Sequence, residues 1–231
     1  MLYIVIPYRD RQLQLIRYLE HILPLLRSCI SDFRIVFIEQ GNSKPFNKGL
    51  LLNAAIKCLK LGDEDEIIFH DIEILPKHDI VLECYKPKIK ANYVLGIYTD
   101  KDSMDGVFKI NKADFDKING FPTNYWGWGF EGDTIRERLN MANTTIVVKY
   151  SPNTISAAAN FIVPEKEASI SRDKRLNGER NEAMHRHFCQ CSQERKIQII
   201  EKSGLNTTHF TLMRHLYIES NPFVEFITVD I

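Results

Sequence analysis

Two carboxylates two residues apart, Asp71 and Glu73, follow the apolar run Glu66–His70. Hard oxygen donors in this pattern suit Mg²⁺ or Mn²⁺. A cation held there would neutralise a diphosphate leaving group as a Lewis acid. Acidic residues at strand ends also serve as ordinary turn formers and caps. A second cluster is basic: Arg9 and Arg11 follow the apolar run Leu2–Ile6, and Lys48 opens a helical stretch. Guanidinium forks match phosphate oxygens. The third cluster is the segment Asn119–Asp133, NGFPTNYWGWGFEGD. Glycines alternating with Trp126 and Trp128 suit a loop that moves, and indole faces stack on the apolar C–H faces of sugars. Glu131 and Asp133 open the next helix, where the positive dipole end favours carboxylates. A carboxylate fixed beside a sugar hydroxyl can act as a general base.

The elements that carry these residues read as β-α-β-α-β over the first 75 positions. Leu2–Ile6 is a strand closed by Pro7, and Arg11–Arg27 has Leu13, Ile16, Leu19, Leu23 and Leu26 at helical spacing. Phe33–Glu39 is a second strand, Phe46–Leu61 a second helix, and Glu66–His70 a third strand. This alternation predicts a parallel sheet with crossover helices, in which ligands sit outside the carboxyl ends of the strands. Arg9–Arg11, Glu39–Asn42 and Asp71–Glu73 all fall at such ends. Beyond residue 75 the expected strands are Tyr93–Tyr98, Gly106–Ile110, Thr144–Lys149, Thr211–Ile218 and Phe223–Val229. The expected helices are Lys112–Ile118 and Asp133–Met141, and Ile162–Arg186 reads as polar and partly mobile.

Composition narrows the function class. The 231 residues include 30 Lys+Arg and 30 Asp+Glu, a formal net charge of zero, which argues against a protein built to grip nucleic acid. No run reaches the roughly 18–20 apolar residues needed to span a bilayer, and Met1–Pro7 lacks the basic leader of a signal peptide. Five cysteines without paired CxxC spacing read as reduced thiols, so the expected setting is the cytoplasm or another reducing compartment.

Taken together, the segments resemble the β-1,4-galactosyltransferases, glycosyltransferase family 7. The family's PFRNR is similar to Pro7–Arg11, its FNRAKLLN to Phe46–Asn53, its DVDLIP to Asp71–Pro76, and its NGFPNNYWGWGGEDD to Asn119–Asp133. Its HSRDK compares with Ile170–Lys174 and its QITVDI with Phe226–Ile231, so the resemblance runs from about residue 3 to the end. It implies one GT-A domain over 1–231, a Rossmann-like α/β fold whose mixed central sheet is flanked by helices. Residues 1–100 would form the nucleotide half and 101–231 the acceptor and loop half. It also implies inverting transfer from a UDP-sugar to a glycan acceptor, with Mn²⁺ or another divalent cation on the diphosphate. By position, Pro7, Tyr8, Arg9, Arg11, Phe46 and Lys48 would line the uridine and phosphate site. Asp71 would touch the ribose side, Glu73 would bind the metal, and Trp128 would close over donor and acceptor. Tyr125, Trp126 and Asp133 would meet the acceptor, with Asp133 and Glu131 as the catalytic carboxylates.

The chain departs from the family pattern in several places. The family's base position is Gly132, and its later Met and His metal ligands fall on Glu167 and Ile170, of which Glu167 alone could bind metal. Gly132 and Ile170 keep open a second reading, an inactive nucleotide-sugar- or glycan-binding module. Cys84 falls on a family disulfide position whose partner is here Glu66. Ser103 stands where the family has Tyr, three residues before Gly106, and leaves room for the N-acetyl group of UDP-GalNAc as well as, or instead of, UDP-Gal.

Overall fold

A computed structural model describes residues 1–163 and 170–231, and of residues 170–176 the backbone alone. The chain opens β1 (Leu2–Tyr8), α1 (Gln12–Cys29), β2 (Phe33–Gln40), α2 (Lys48–Leu59) and β3 (Glu66–His70). There follow β4 (Leu75–Pro76), α3 (His78–Ile80), β5 (Tyr93–Tyr98), β6 (Val107–Asn111) and α4 (Lys112–Lys117). The second half holds α5 (Glu131–Met141), β7 (Thr145–Val148), α6 (Ile155–Asn160), β8 (Phe161–Ile162), α7 (Ile170–Gln190), α8 (Gln193–Lys202), β9 (Thr211–Tyr217) and β10 (Val224–Asp230).

Among the described residues one sheet has the order β7-β5-β6-β3-β1-β2-β10-β9, and β4 pairs with β8 apart from it. β1 runs parallel to β2 and β3, and β2 parallel to β10. β6 and β9 run antiparallel to β3 and β10, so the sheet is mixed. The alternation of side chains along a strand feeds two apolar layers. Leu2, Ile4 and Ile6 of β1 join the layer that contains Tyr18, Ile22 and Leu26 of α1. Val5 joins the layer with Leu51, Leu52, Ala55 and Ile56 of α2, together with Phe69, Phe108 and Phe121. Burial on both faces is why these strands read as unbroken apolar runs.

Three expectations change. Of the five apolar positions expected on α1, Leu26 is buried and Leu19 and Leu23 pack against the same layer, but Leu13 and Ile16 are exposed and Tyr18 and Ile22 are buried instead. The helix is apolar around more than one face, and spacing alone cannot choose among adjacent stripes. The polar stretch expected over 162–186 contains most of α7, a helix built from Glu, Arg, Lys and Asn whose buried contacts include Asn181 and Phe188. Polar residues with good helix propensity leave no apolar period to detect. The sequence reading also contains no counterpart of α8, although Ser192 caps that helix by accepting from the Arg195 amide at 3.3 Å.

α2 anchors the segment that leads into the tryptophan–glycine loop. Asn53 is fully buried, donates to the Phe121 carbonyl at 2.8 Å and accepts from the Phe121 amide at 2.9 Å. A Cβ on Gly49 would lie 2.4 Å from the Pro122 carbonyl oxygen, so glycine sets this close approach. Asn53→Ala strands a buried donor and acceptor, and is expected to lower the unfolding free energy by about 2 kcal/mol. Urea unfolding of the two proteins checks this.

Candidate active site

The carboxyl ends of β1, β2 and β3 lie side by side, because the three strands are parallel neighbours. At the end of β2 the buried Gln40 shapes the following loop. Its amide nitrogen donates to the carbonyls of Lys44 and Pro45 at 3.0 and 3.1 Å, and its oxygen accepts from the Asn47 amide at 3.0 Å. Asn47 then caps α2 by accepting from the Leu50 amide at 2.9 Å. The capped helix start fixes where Lys48 leaves the backbone. Arg9 braces the same loop, donating to the Lys44 carbonyl at 2.7 Å with its guanidinium 5.3 Å from the Phe46 ring centre. Pro7 and Tyr8 are half-buried at the end of β1, and the Tyr8 ring packs edge-on to Phe37.

The acidic pair and the basic residues meet. Lys48 Nζ lies 2.7 Å from Asp71 and 3.7 Å from Asp105. Burial by itself would lower the Lys48 pKa, but Asp71, Asp105 and Glu131 together hold it above the ordinary lysine value. Arg11 Nη1 lies 3.3 Å from Glu73. Burial, then repulsion from Asp71, raises the Glu73 pKa, and Arg11 opposes the rise. The Arg11–Glu73 pair is about one-third exposed on both sides, at 35% and 29%, so it is weak enough for either member to exchange its partner for a ligand.

The loop after β5 completes this wall. Gly106 has φ +92°, and a Cβ there would sit 2.2 Å from the Tyr98 carbonyl oxygen. Only glycine fits, and its own carbonyl accepts from the Asp71 amide at 3.0 Å. Ser103 Oγ donates to Asp105 at 2.8 Å and lies 3.4 Å from an Asp133 oxygen. Glu131 and Asp133 stand in the first turn of α5. Burial, then the Asp105 charge, raises the Glu131 pKa to about 7 against the pull of Lys48. The same two causes raise Asp133.

The tryptophan–glycine loop is tied at both sides. The Gly127 amide donates to the Phe46 carbonyl at 2.7 Å, and Asn181 Nδ2 on α7 donates to the carbonyls of Trp126 and Trp128 at 3.1 and 3.0 Å. Gly127, Gly129 and Phe130 all have positive φ, a conformation that costs Phe130 energy and that the glycines adopt freely. Trp128 is 44% exposed. Tyr125 is instead buried, its hydroxyl accepting from Thr134 Oγ1 at 2.9 Å, so it supports the loop from beneath.

Sequence reading did not single out Asp105, Gln40 or Asn181. Asp105 is one of four acidic or basic residues in Asp100–Asp105, and nothing in that run marks it. Glu167 lies outside the described residues, as does the Ile170 side chain. Cys84 is buried as a free thiol, and Glu66 faces Lys109 at 3.1 Å.

Asp71 and Glu73 offer hard oxygen donors. Among the described residues no group of three or more His, Cys, Asp or Glu is arranged to hold a metal ion. Two carboxylates of this kind suit a hard cation such as Mg²⁺ or Mn²⁺, which prefers oxygen ligands. Among the described residues no helix is long and apolar enough to cross a membrane.

Two family models match. Residues 1–86 match the N-terminal region of glycosyl transferase group 7, and residues 88–156 match the N-terminal domain of galactosyltransferase. β-1,4-Galactosyltransferase 4 of Rattus norvegicus is 30% identical over 98% of this chain and 62% of its own length. β-1,4-Galactosyltransferase 1 of Bos taurus is 29% identical over 99% of this chain and 54% of its own length. The chain thus spans about three-fifths or less of these curated relatives. A crystal structure of Drosophila β-1,4-galactosyltransferase 7, with manganese, UDP-Gal and xylobiose, superposes with a TM-score of 0.75. It is 20% identical and covers 100% of this chain and 93% of that one, which establishes the GT-A fold. The motifs, the fold and the matched family models agree, and the chain belongs to glycosyl transferase group 7, the family of the β-1,4-galactosyltransferases.

Proposed function

We propose that the chain is an inverting glycosyltransferase that moves galactose or N-acetylgalactosamine from a UDP-sugar to a hydroxyl of a glycan acceptor. The observation that carries this reading is the joined cluster Lys48–Asp71–Asp105 and Arg11–Glu73, at the carboxyl ends of parallel strands, beside a loop holding Trp126 and Trp128. Pro7, Tyr8 and Phe46 form the uridine side, with Arg9 bracing Phe46. Asp71 faces the ribose. Lys48 and Arg11 meet the diphosphate, whose negative charge takes over from Asp71 and Glu73, their nearest carboxylates at 2.7 and 3.3 Å. Glu73 would hold a divalent cation, which when bound supplies charge to the departing diphosphate. Gly106 and Ser103 border the donor sugar, and Trp128 covers it. Trp126 and Asp133 receive the acceptor, with Tyr125 supporting them from below.

In the reaction an acceptor oxygen attacks the anomeric carbon from the face opposite the diphosphate. The bond to the diphosphate breaks, its electron pair leaves with UDP, and the hydroxyl proton passes to one of the carboxylates gathered at the start of α5. Preorganised cations lower the barrier because they need no reorientation as the leaving-group charge develops. The test is UDP release from purified protein across UDP-Gal, UDP-GalNAc and UDP-Glc, with sugar acceptors, with and without Mn²⁺. Turnover with UDP-Gal or UDP-GalNAc and an acceptor is expected. UDP that raises the melting temperature without any pair turning over would favour the inactive binding module instead.

A further inference from the structure

Gly132 stands between Glu131 and Asp133 in the first turn of α5. Its backbone is not left-handed, since it is absent from the positive-φ glycines Gly106, Gly120, Gly127 and Gly129. Conformation therefore does not require glycine there, and glycine costs a helix up to about 1 kcal/mol relative to alanine. Space does require it. A Cβ at position 132 would lie 2.5 Å from both Cγ and Oδ1 of Asp105 and 2.7 Å from Ser103 Oγ. The Met104 amide donates to the Gly132 carbonyl at 3.1 Å and holds the two segments together. The Asp105 carboxylate thus occupies the volume that a side chain on residue 132 would fill, between Glu131 and Asp133.

From this placement we infer that Asp105 is the general base of the transfer reaction, and that Gly132 exists to admit its carboxylate. This rests on the proposed glycosyl transfer and names its proton acceptor. Each Asp105 oxygen has one directing partner, Ser103 Oγ at 2.8 Å and Lys48 Nζ at 3.7 Å, which fix where the carboxylate lies. The side chain is 45% exposed, against 22% for Asp71 and 29% for Glu73, so it has room to meet a substrate hydroxyl. Asp133 has the weaker share of Ser103, at 3.4 Å. It is placed to hold the acceptor while Asp105 takes its proton. The balance is simple: the acceptor O–H gives its proton to Asp105, its oxygen bonds to the anomeric carbon, and the nucleoside diphosphate leaves with the electron pair. Asp105 ends neutral, and the diphosphate carries the charge.

Asp105→Asn is expected to lower kcat about 10²- to 10⁴-fold, while the melting shift produced by UDP stays within a few tenths of its wild-type size. Transposing the carboxylate in the double variant Asp105→Gly, Gly132→Asp is expected to recover at least tenfold over Asp105→Asn. It returns an acid to the same volume from the other backbone. A wild type that releases UDP, with an Asp105→Asn variant that keeps kcat within about threefold, would overturn this assignment alone. A transposed variant that is folded and binds UDP but recovers nothing would do the same. A wild type that turns over with no donor and acceptor pair would overturn the proposed function, and the base with it.

Discussion

Lys48→Met is expected to reduce kcat/KM for the UDP-sugar about 10²- to 10³-fold, the scale of removing one preorganised charge from a developing leaving group. Lys48 is the cation nearest both Asp71, at 2.7 Å, and Asp105, at 3.7 Å, and its side chain is only 17% exposed. Its charge therefore acts through little water, where a unit charge counts for more than at the surface. The substitution keeps the length and apolar stem and removes the ammonium. A diphosphate would then meet Asp71, Asp105 and Glu131 without their common counter-charge. Since Lys48 also lowers the Glu131 pKa, its loss is expected to push that pKa further up. Initial-rate kinetics with calorimetric titration of UDP separate the two effects. An unchanged UDP affinity and kcat/KM would remove Lys48 from the phosphate site. Arg11→Met is expected to do less, because its pairing with Glu73 is more exposed.

Glu131→Gln is expected to flatten the dependence of stability on pH. In the folded chain burial and Asp105 raise the Glu131 pKa from 4.5 to about 7. In the unfolded chain it titrates near its ordinary value. Between about pH 4.5 and 7 the folded state therefore binds more protons than the unfolded state, and stability falls as pH rises. The folded state is favoured fully below the unfolded pKa, and that advantage is gone above the folded one. At about 1.4 kcal/mol per pKa unit, the wild type is expected to lose on the order of 3 kcal/mol across that window relative to Glu131→Gln. Urea unfolding of both proteins at about pH 5 and about pH 7.5 measures it, with every other titrating group common to the pair. Equal pH slopes for the two proteins would place the excess proton elsewhere. The cost fits a site built to receive cations and sugar hydroxyls, since a buried carboxylate without its ligand is poorly solvated.

Much of this site was legible because it is local in sequence. The x-Asp-x-Glu pair after β3, the arginines after β1 and Lys48 at the start of α2 each stand at a strand or helix end that periodicity locates within about two residues. Parallel pairing then had to bring those ends together, since adjacent strands joined by crossover helices point the same way. The first half also read well because its strands are buried on both faces and its α2 helix is apolar around its length. The α7 and α8 helices were harder. Their surfaces are polar, and the contacts of α7 with the loop go through single residues such as Asn181, whose value depends on where Trp126 and Trp128 lie.

The sequence by itself determined the β-α-β-α-β core, the convergence of Asp71, Glu73, Arg11 and Lys48, and the special character of the tryptophan–glycine loop. Strand periodicity, turn chemistry and strand-end position are all short-range properties. Only the tertiary structure decided which cation meets which carboxylate, that Tyr125 is buried beneath the loop, and that Asp105 fills the space left by Gly132. Residues 105 and 132 are far apart along the chain, and whether a glycine there marks a lost carboxylate or a vacated volume depends on what the fold brings against it.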